Sequence, residues 1–140
     1  MAVQTPKIIS DGLSFKALAP VNFDGAKIKV RVQIKTADYT VLHTDSGTIF
    51  CTVGDTGAIV FTLPVVPIKN EFFIFFQSVD QNMTVNAGAA NTMRTKNDLD
   101  ADGVVFSTGS NLIGACILVF GDGTYWNVAQ LCTNTMTVTT

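Results

Sequence analysis

The chain has 140 residues, a formal net charge of −2, and 47% hydrophobic but only 14% charged residues. This length fits one domain with a real core, and the charge lacks the Lys/Arg excess with which proteins grip nucleic-acid phosphates. The first residues contain no apolar run typical of a secretory signal, and no window approaches the roughly 18 apolar residues of a membrane span. We therefore expect no nucleic-acid partner and no membrane, and a soluble protein made in a reducing compartment.

Threonine supplies much of the polarity that charged residues do not. It occurs eighteen times, and a β-branched residue with one hydroxyl suits the wet face of a strand better than a helix. The composition therefore favours an all-β protein.

Residues 1–26 show neither a helical nor a strand period, and prolines and glycines interrupt them. We predict an extended N-terminal arm over 1–26 and a single β domain over 27–140. The apolar residues of the arm, among them Ile8, Ile9, Phe15 and Phe23, need a partner. That partner is either the arm's own domain or a neighbouring subunit, and the sequence leaves both open.

The stretch "KIKVRVQIK", residues 27–35, alternates apolar and basic or amide side chains and predicts a strand. Its basic face consists of Lys27, Lys29, Arg31 and Lys35. This face is interpreted either as a solvated surface that discourages edge-to-edge pairing or as a docking face for an acidic partner.

Short apolar runs separated by turn residues continue to the end of the chain and predict further strands. They are "YTVLHT", "GTIFCTV", "AIVFTL", "EFFIFFQSV", "MTVN", "GVVF", "LIGACILVF", "TYWNVAQL" and "TMTVTT". Such regular spacing predicts an antiparallel β-sandwich or a jelly-roll-like barrel. The run Phe72–Phe76 is apolar on both faces, which indicates a central strand covered on each side by a second sheet or a partner chain.

The stretch "GDGTYWNV", residues 121–128, raises the choice between a phosphate-binding loop and a turn. A dinucleotide fingerprint requires a helix after its glycines, but a strand-like run follows here, so we predict a tight hairpin turn. Trp126 is expected to bury its ring and to donate its indole N–H to a polar partner.

The stretch "NDLDADG" places Asp98, Asp100 and Asp102 like the first half of a calcium loop. The glutamate expected at its twelfth position is missing, because Gly109 stands there. The two hypotheses are a solvated acidic turn and a calcium site to which another subunit supplies oxygen ligands, and no other cofactor is expected.

Few residues suggest catalysis. The single histidine, His43, has no serine or cysteine at a spacing that implies pairing, and the single glutamate, Glu71, begins an apolar strand. The cysteines Cys51, Cys116 and Cys132 lack Cys-x-x-Cys spacing and predict reduced, buried thiols. We therefore expect no enzyme.

The stretches "DYTVLHTDSGTIFCT", "AIVFTLP", "FFIFFQSVDQNMTVNAG" and "GSNLIGACILVFGDGTYWNVAQL" together resemble small β-modules of tailed-bacteriophage virions. The resemblance is strongest to capsid decoration, or cement, proteins, with head-fibre and tail-fibre domains as relatives. It covers about two-thirds of the chain, leaves out the arm, and consists of strand and turn patterns with no catalytic signature.

The resemblance implies a structural virion protein, commonly a homotrimer, made in the host bacterial cytoplasm and assembled on the outer capsid surface against the major capsid protein. The expected contacts to the capsid or between subunits come from the basic N-terminal third. They are Lys7, Ile8, Ile9, Phe15, Lys27, Lys29, Arg31 and Lys35. The alternative is a fibre module that binds host glycans through Tyr39, Tyr125 and Trp126; a small hydrolase is a third hypothesis from a different class.

Overall fold

The structure, a computed structural model, describes residues 30–53, 57–107 and 112–140. The arm predicted over 1–26, with its expected contact residues, lies outside these ranges, as do Lys27 and Lys29. The described part contains twelve strands and one short 3-10 helix. The strands are β1 (Arg31–Lys35), β2 (Tyr39–Thr40), β3 (Thr48–Thr52), β4 (Ile59–Thr62), β5 (Phe72–Gln77), β6 (Met83–Asn86), β7 (Met93–Thr95), β8 (Asp98–Ala101), β9 (Gly103–Phe106), β10 (Cys116–Gly121), β11 (Trp126–Gln130) and β12 (Thr137–Thr139).

The strands form two sheets that pack as a β-sandwich, which confirms the all-β prediction. The larger sheet has seven strands in the order β1-β3-β5-β10-β11-β7-β8, and the smaller has five in the order β12-β9-β6-β4-β2. The expected antiparallel pairing holds for β5–β10, β10–β11, β6–β9, β9–β12 and β7–β8, whereas β1–β3, β3–β5, β2–β4, β4–β6 and β7–β11 pair in parallel. Both sheets are therefore mixed.

Aromatic side chains from both sheets fill the space between them. Phe50 and Phe75 of the larger sheet stack with ring centroids 5.4 Å apart, and Phe61 of the smaller sheet lies 4.9 Å from Phe75. Trp126 is 0% exposed, and its Nε1 donates to the carbonyl oxygen of Pro64 at 3.0 Å, which confirms the expected burial and polar partner. This core fixes which side of each strand points outwards.

The Gly121-Asp122-Gly123 segment is the predicted hairpin turn, between the antiparallel strands β10 and β11. Gly123 has φ +99, and a Cβ at Gly121 would lie 2.2 Å from the carbonyl oxygen of Ile68. Both positions therefore require glycine for geometric reasons that involve no phosphate.

Two local predictions are corrected. The stretch "YTVLHT" is a strand only at Tyr39–Thr40, and a 3-10 helix follows at His43–Asp45. The acidic stretch expected to be a turn forms strand β8 instead, and the turn before it lies at Lys96 and Asn97, which both have positive φ. Among the described residues, no helix has the length and apolar character needed to cross a membrane.

Candidate interaction face

The side of the seven-stranded sheet that points away from the core is apolar across five neighbouring strands. Because successive residues of a strand point to opposite faces, the buried positions of β3, β5 and β10 assign the alternate positions to this outer side. We call it the outer apolar face. It consists of Val32, Ile34, Ile49, Cys51, Phe72, Ile74, Phe76, Cys116, Leu118, Phe120 and Ala129.

The strand register aligns these side chains in rows across the sheet. One row runs through Val32, Ile49, Ile74, Leu118 and Ala129. A second row runs through Ile34, Cys51, Phe76 and Cys116, and a third runs through Phe72 and Phe120 and ends at the polar Asn127 on β11, which lies outside the apolar face. None of these side chains carries a formal charge at neutral pH. The face is therefore a continuous apolar surface and differs from the isolated hydrophobic residues found on any protein.

The size of this face places it among functional patches. It spans four inter-strand spacings of about 4.8 Å, roughly 19 Å, and each of its eleven outward positions occupies about 4.8 Å by 6.7 Å, so its footprint is on the order of 350 Å². Patches of this size on a single chain are often sites of interaction. A standard interface buries about 800 Å² per partner, so a stable contact would extend beyond the face.

Exposure is greatest at the borders of the face. Ile34 on β1 is 63% exposed, and Phe72 and Phe120 are 42% and 41% exposed. The prediction that the Phe72–Phe76 run is covered on each side is borne out on one side by the five-stranded sheet. Within the described part of the chain, the other side has no cover.

The apolar side of an amphipathic strand is expected to face the core, but in β1 the apolar side faces outwards. Val32 and Ile34 point outwards, whereas Arg31, Gln33 and Lys35 turn towards their own domain. Arg31 Nε donates to Thr48 Oγ1 at 2.7 Å and its Nη2 to the carbonyl oxygen of Thr44 at 2.8 Å. The described basic residues of this strand are thus engaged within the molecule.

Asp45 is the centre of the polar cluster that holds these side chains. It is 5% exposed and accepts hydrogen bonds from Tyr39 Oη at 2.9 Å and from the backbone N of Leu42 at 3.0 Å. Gln33 Nε2 donates to it at 3.3 Å, and Arg31 Nη2 lies 3.6 Å away. Burial alone would raise the pKa of Asp45, but these hydrogen bonds and the Arg31 charge outweigh burial and lower it.

Lys35 has an aromatic partner in the same region. Its Nζ lies 3.1 Å from the ring centroid of Tyr39, a cation–π contact. The pKa of Tyr39 is raised by burial and by its hydrogen bond to Asp45. Arg31 and Lys35, expected at the interface, are therefore occupied by Asp45, Thr48 and Tyr39, and their geometry supports an internal structural role.

The three aspartates of the acidic stretch make separate local contacts. Asp98 Oδ1 accepts from the backbone N of Asp100 at 3.0 Å, and Asp102 Oδ1 accepts from the backbone N of Asn91 at 2.7 Å. Within the ranges the structure describes, which include all three, no group of three His, Cys, Asp or Glu residues could hold a metal ion. Asp98 and Asp100 lie on the edge strand β8, which ends just before Asp102, and this placement fits a simpler role, since charged side chains oppose edge-to-edge pairing.

His43 and Glu71, far apart in sequence, are in hydrogen-bonding contact, with His43 Nδ1 2.8 Å from Glu71 Oε2. Sequence reasoning missed this pair, because the two residues lie 28 positions apart. Ser46 lies three positions after His43, and its Oγ accepts a hydrogen bond from the backbone N of Phe72 at 3.3 Å. The pair tethers the 3-10 helix to the start of β5.

The cysteines are free thiols and are half-buried rather than fully buried as expected. Burial raises the pKa of the Cys51 thiol, and burial together with the neighbouring Cys132 and Cys51 raises that of Cys116. Raised thiol pKa values keep both side chains protonated and apolar near neutral pH, as suits two members of the outer apolar face.

The chain was compared with known proteins. No protein-family model matches it, and the curated proteins contain no significant match.

Proposed function

We propose that this protein is a structural module that works by binding other protein chains through the outer apolar face. The observation that supports this proposal is the apolar character of that face over five strands of a folded sheet. Exposed Val, Ile and Phe side chains in register are costly in water, and their burial contributes about 25 cal/mol per Å². A surface of this kind is typical of subunit contacts.

Within this class we propose a capsid decoration protein of a tailed bacteriophage. It would act as a homotrimer bound to the major capsid protein on the outer surface of the virion, after synthesis in the bacterial cytoplasm. The support is the resemblance in strand and turn patterns, together with a sandwich fold that has one apolar outer side. Of the expected contact residues, Lys7, Ile8, Ile9, Phe15, Lys27 and Lys29 remain candidates for this role.

The alternative, a fibre module that binds glycans, has less support from the geometry. Its expected platform comprised Tyr39, Tyr125 and Trp126, but Trp126 is fully buried and Tyr39 is half-buried beneath Lys35. Tyr125 stacks on Arg94, whose Cζ lies 3.4 Å from the ring centroid. No observation favours this function strongly enough to argue it further.

The proposal can be tested on heads of the phage whose genome encodes this chain, assembled with its gene deleted. Purified wild-type protein should add to these heads in a fixed ratio, measured by quantitative gel analysis after sedimentation. The double variant Ile34→Lys, Phe120→Lys should bind at least about tenfold more weakly, because two apolar contacts are lost. Absence of binding by the folded wild-type protein would overturn the assignment to the capsid.

A further inference from the structure

The proposed function leaves open which polypeptide covers the outer apolar face. We propose that the N-terminal segment, residues 1–29, of a second copy of this chain lies on it. This inference rests on the proposed function, since a segment exchanged between copies links two domains and a segment folded onto its own domain links none.

The length and chemistry of the segment fit the face. The face is roughly 19 Å wide, which about six extended residues cross. The segment has 29 residues and carries Ile8, Ile9, Leu13, Phe15 and Phe23. It can therefore leave its own domain, reach a neighbour and still supply several apolar side chains to the rows.

The point where the segment joins the domain favours exchange between copies. Val30 directly precedes the edge strand β1 and is exposed next to the outer apolar face. The alternation that defines β1 starts at Lys27, so it predicts that the chain continues along the strand direction beyond the border of the face. A segment that continues in this direction would leave its own face, and its length would let it reach a second copy.

Charges at the border of the face complement those of the segment. A shallow groove of about 350 Å³ combines the rings of Phe72 and Phe120 with the carboxylates of Glu71 and Asp122, and Lys69 also lines it. Glu71 contacts His43 and Asp122 accepts hydrogen bonds within its own turn, so the groove offers a net negative charge rather than unpartnered carboxylates. In the segment, lysines stand beside apolar residues, in "KII" at 7–9 and "FK" at 15–16. Apolar side chains can therefore cover the uncharged rows while a lysine of the segment lies near the net negative charge of this groove.

Complementation between two full-length variants tests the exchange. The segment variant carries Ile8→Asp and Ile9→Asp, and the face variant carries Ile34→Lys and Phe120→Lys. A control carries Thr62→Lys and Val105→Lys on the outward side of the smaller sheet. Circular dichroism first establishes that all variants are folded, and light scattering after chromatography then measures their masses.

We expect the wild type and the control to be oligomeric. In the segment variant and in the face variant, the dissociation constant for self-association should be at least tenfold higher. Mixing the segment variant with the face variant should restore association, because one intact segment meets one intact face. The proposal is overturned if the segment variant keeps the wild-type mass, because the outer apolar faces of two copies would then pair directly without the segment. It is equally overturned if mixing restores nothing or if the wild type is monomeric.

These results are separate from the head-binding experiment. Complementation without binding to phage heads would leave the exchange standing and remove the capsid function. If the wild-type protein binds heads but the segment variant associates normally, the capsid function stands and the exchange is removed.

Discussion

The two sheets of the sandwich present very different outer sides. The outward positions of the five-stranded sheet are rich in threonine. In one row the register sets Thr40, Thr62 and Asn86 side by side, and in the other it sets Thr84 and Thr137 next to valines. The outward positions include Thr40, Thr62, Thr84, Asn86, Thr137 and Thr139, with only Val60 and Val105 as large apolar members. The outer apolar face of the seven-stranded sheet has no hydroxyl at all among its defining residues.

This difference explains the unusual composition. Threonine solvates one side of the molecule without charges, while the apolar excess that remains after the core is filled collects on the other side. A monomer with no partners would gain from polar residues on both sides. The asymmetry therefore supports the proposal that one side meets water and the other meets polypeptide.

The largest expected effect is on the free energy of unfolding, and it differs between substitutions on the two sides of strand β5. Phe75 is fully buried in the core, whereas Phe76 belongs to the outer apolar face. Phe75→Ala should lower the free energy of unfolding by about 3–5 kcal/mol through loss of packing. Phe76→Ala should cost less in a separated domain, and its cost should grow with protein concentration if a second chain covers it.

Chemical denaturation at two protein concentrations measures this difference, with Thr84→Ala as the control on the polar side. Equal and concentration-independent losses for both phenylalanines would contradict the account of the outer apolar face.

The next effect concerns the cluster that turns the basic side of β1 inwards. Asp45→Asn should lower the free energy of unfolding at neutral pH by about 2 kcal/mol, because hydrogen bonds to a buried carboxylate are lost or weakened. The folded-state pKa of Asp45 is depressed, so its contribution is present above the unfolded pKa near 4 and is lost as the pH falls through the folded value.

Denaturation of both proteins between pH 7 and pH 2.5 checks the sign. The stability gap should narrow towards the acid end. A gap that widens on acidification would show that Asp45 does not hold the cluster as a carboxylate.

A smaller effect is expected at the hairpin that joins β10 and β11, two of the strands beneath the outer apolar face. Asp122 accepts from the backbone N of Thr124 and of Tyr125 and from Asn127 Nδ2, and these bonds lower its pKa to about 2. Because the side chain is exposed, Asp122→Ala should cost only about 1 kcal/mol, seen as a melting temperature lower by a few degrees. Asp100→Ala serves as the control.

The melting temperature is not expected to change when divalent cations are removed. The carboxylates of Asp98 and Asp102 are occupied by backbone N–H groups, and edge-strand β8 holds Asp100 on the surface. EDTA should leave the melting temperature unchanged, and added calcium should do the same. A rise with calcium that Asp100→Ala abolishes would restore the cation hypothesis.

Sequence reasoning succeeded where a local signal decides the structure. The Gly121-Asp122-Gly123 turn, the burial of Trp126 and most strands follow from residues adjacent in the chain, and the structure confirms them. Strand order and parallel pairing depend on contacts between distant segments, which one sequence does not display.

The orientation of β1 shows why the candidate site was harder to predict. Alternation in "VRVQIK" establishes that two sides differ, but it does not say which side faces the core. Asp45, Tyr39 and Thr48 attract Arg31, Gln33 and Lys35 inwards, and this cluster assembles only in the folded chain. In β3 and β10 the two sides of the strand both carry apolar residues, so the sequence shows a continuous apolar run. Their outward residues therefore could not be distinguished from core residues.

The central claim is that the outer apolar face is buried against a second polypeptide, and hydrogen–deuterium exchange of the full-length protein over a range of concentrations tests it most directly. The account predicts that amides of β1 and β3, at the exposed edge of that face, become at least tenfold more protected as concentration rises, while those of β4 and β6 do not change. Exchange that is independent of concentration throughout, in a protein that stays monomeric, would contradict it.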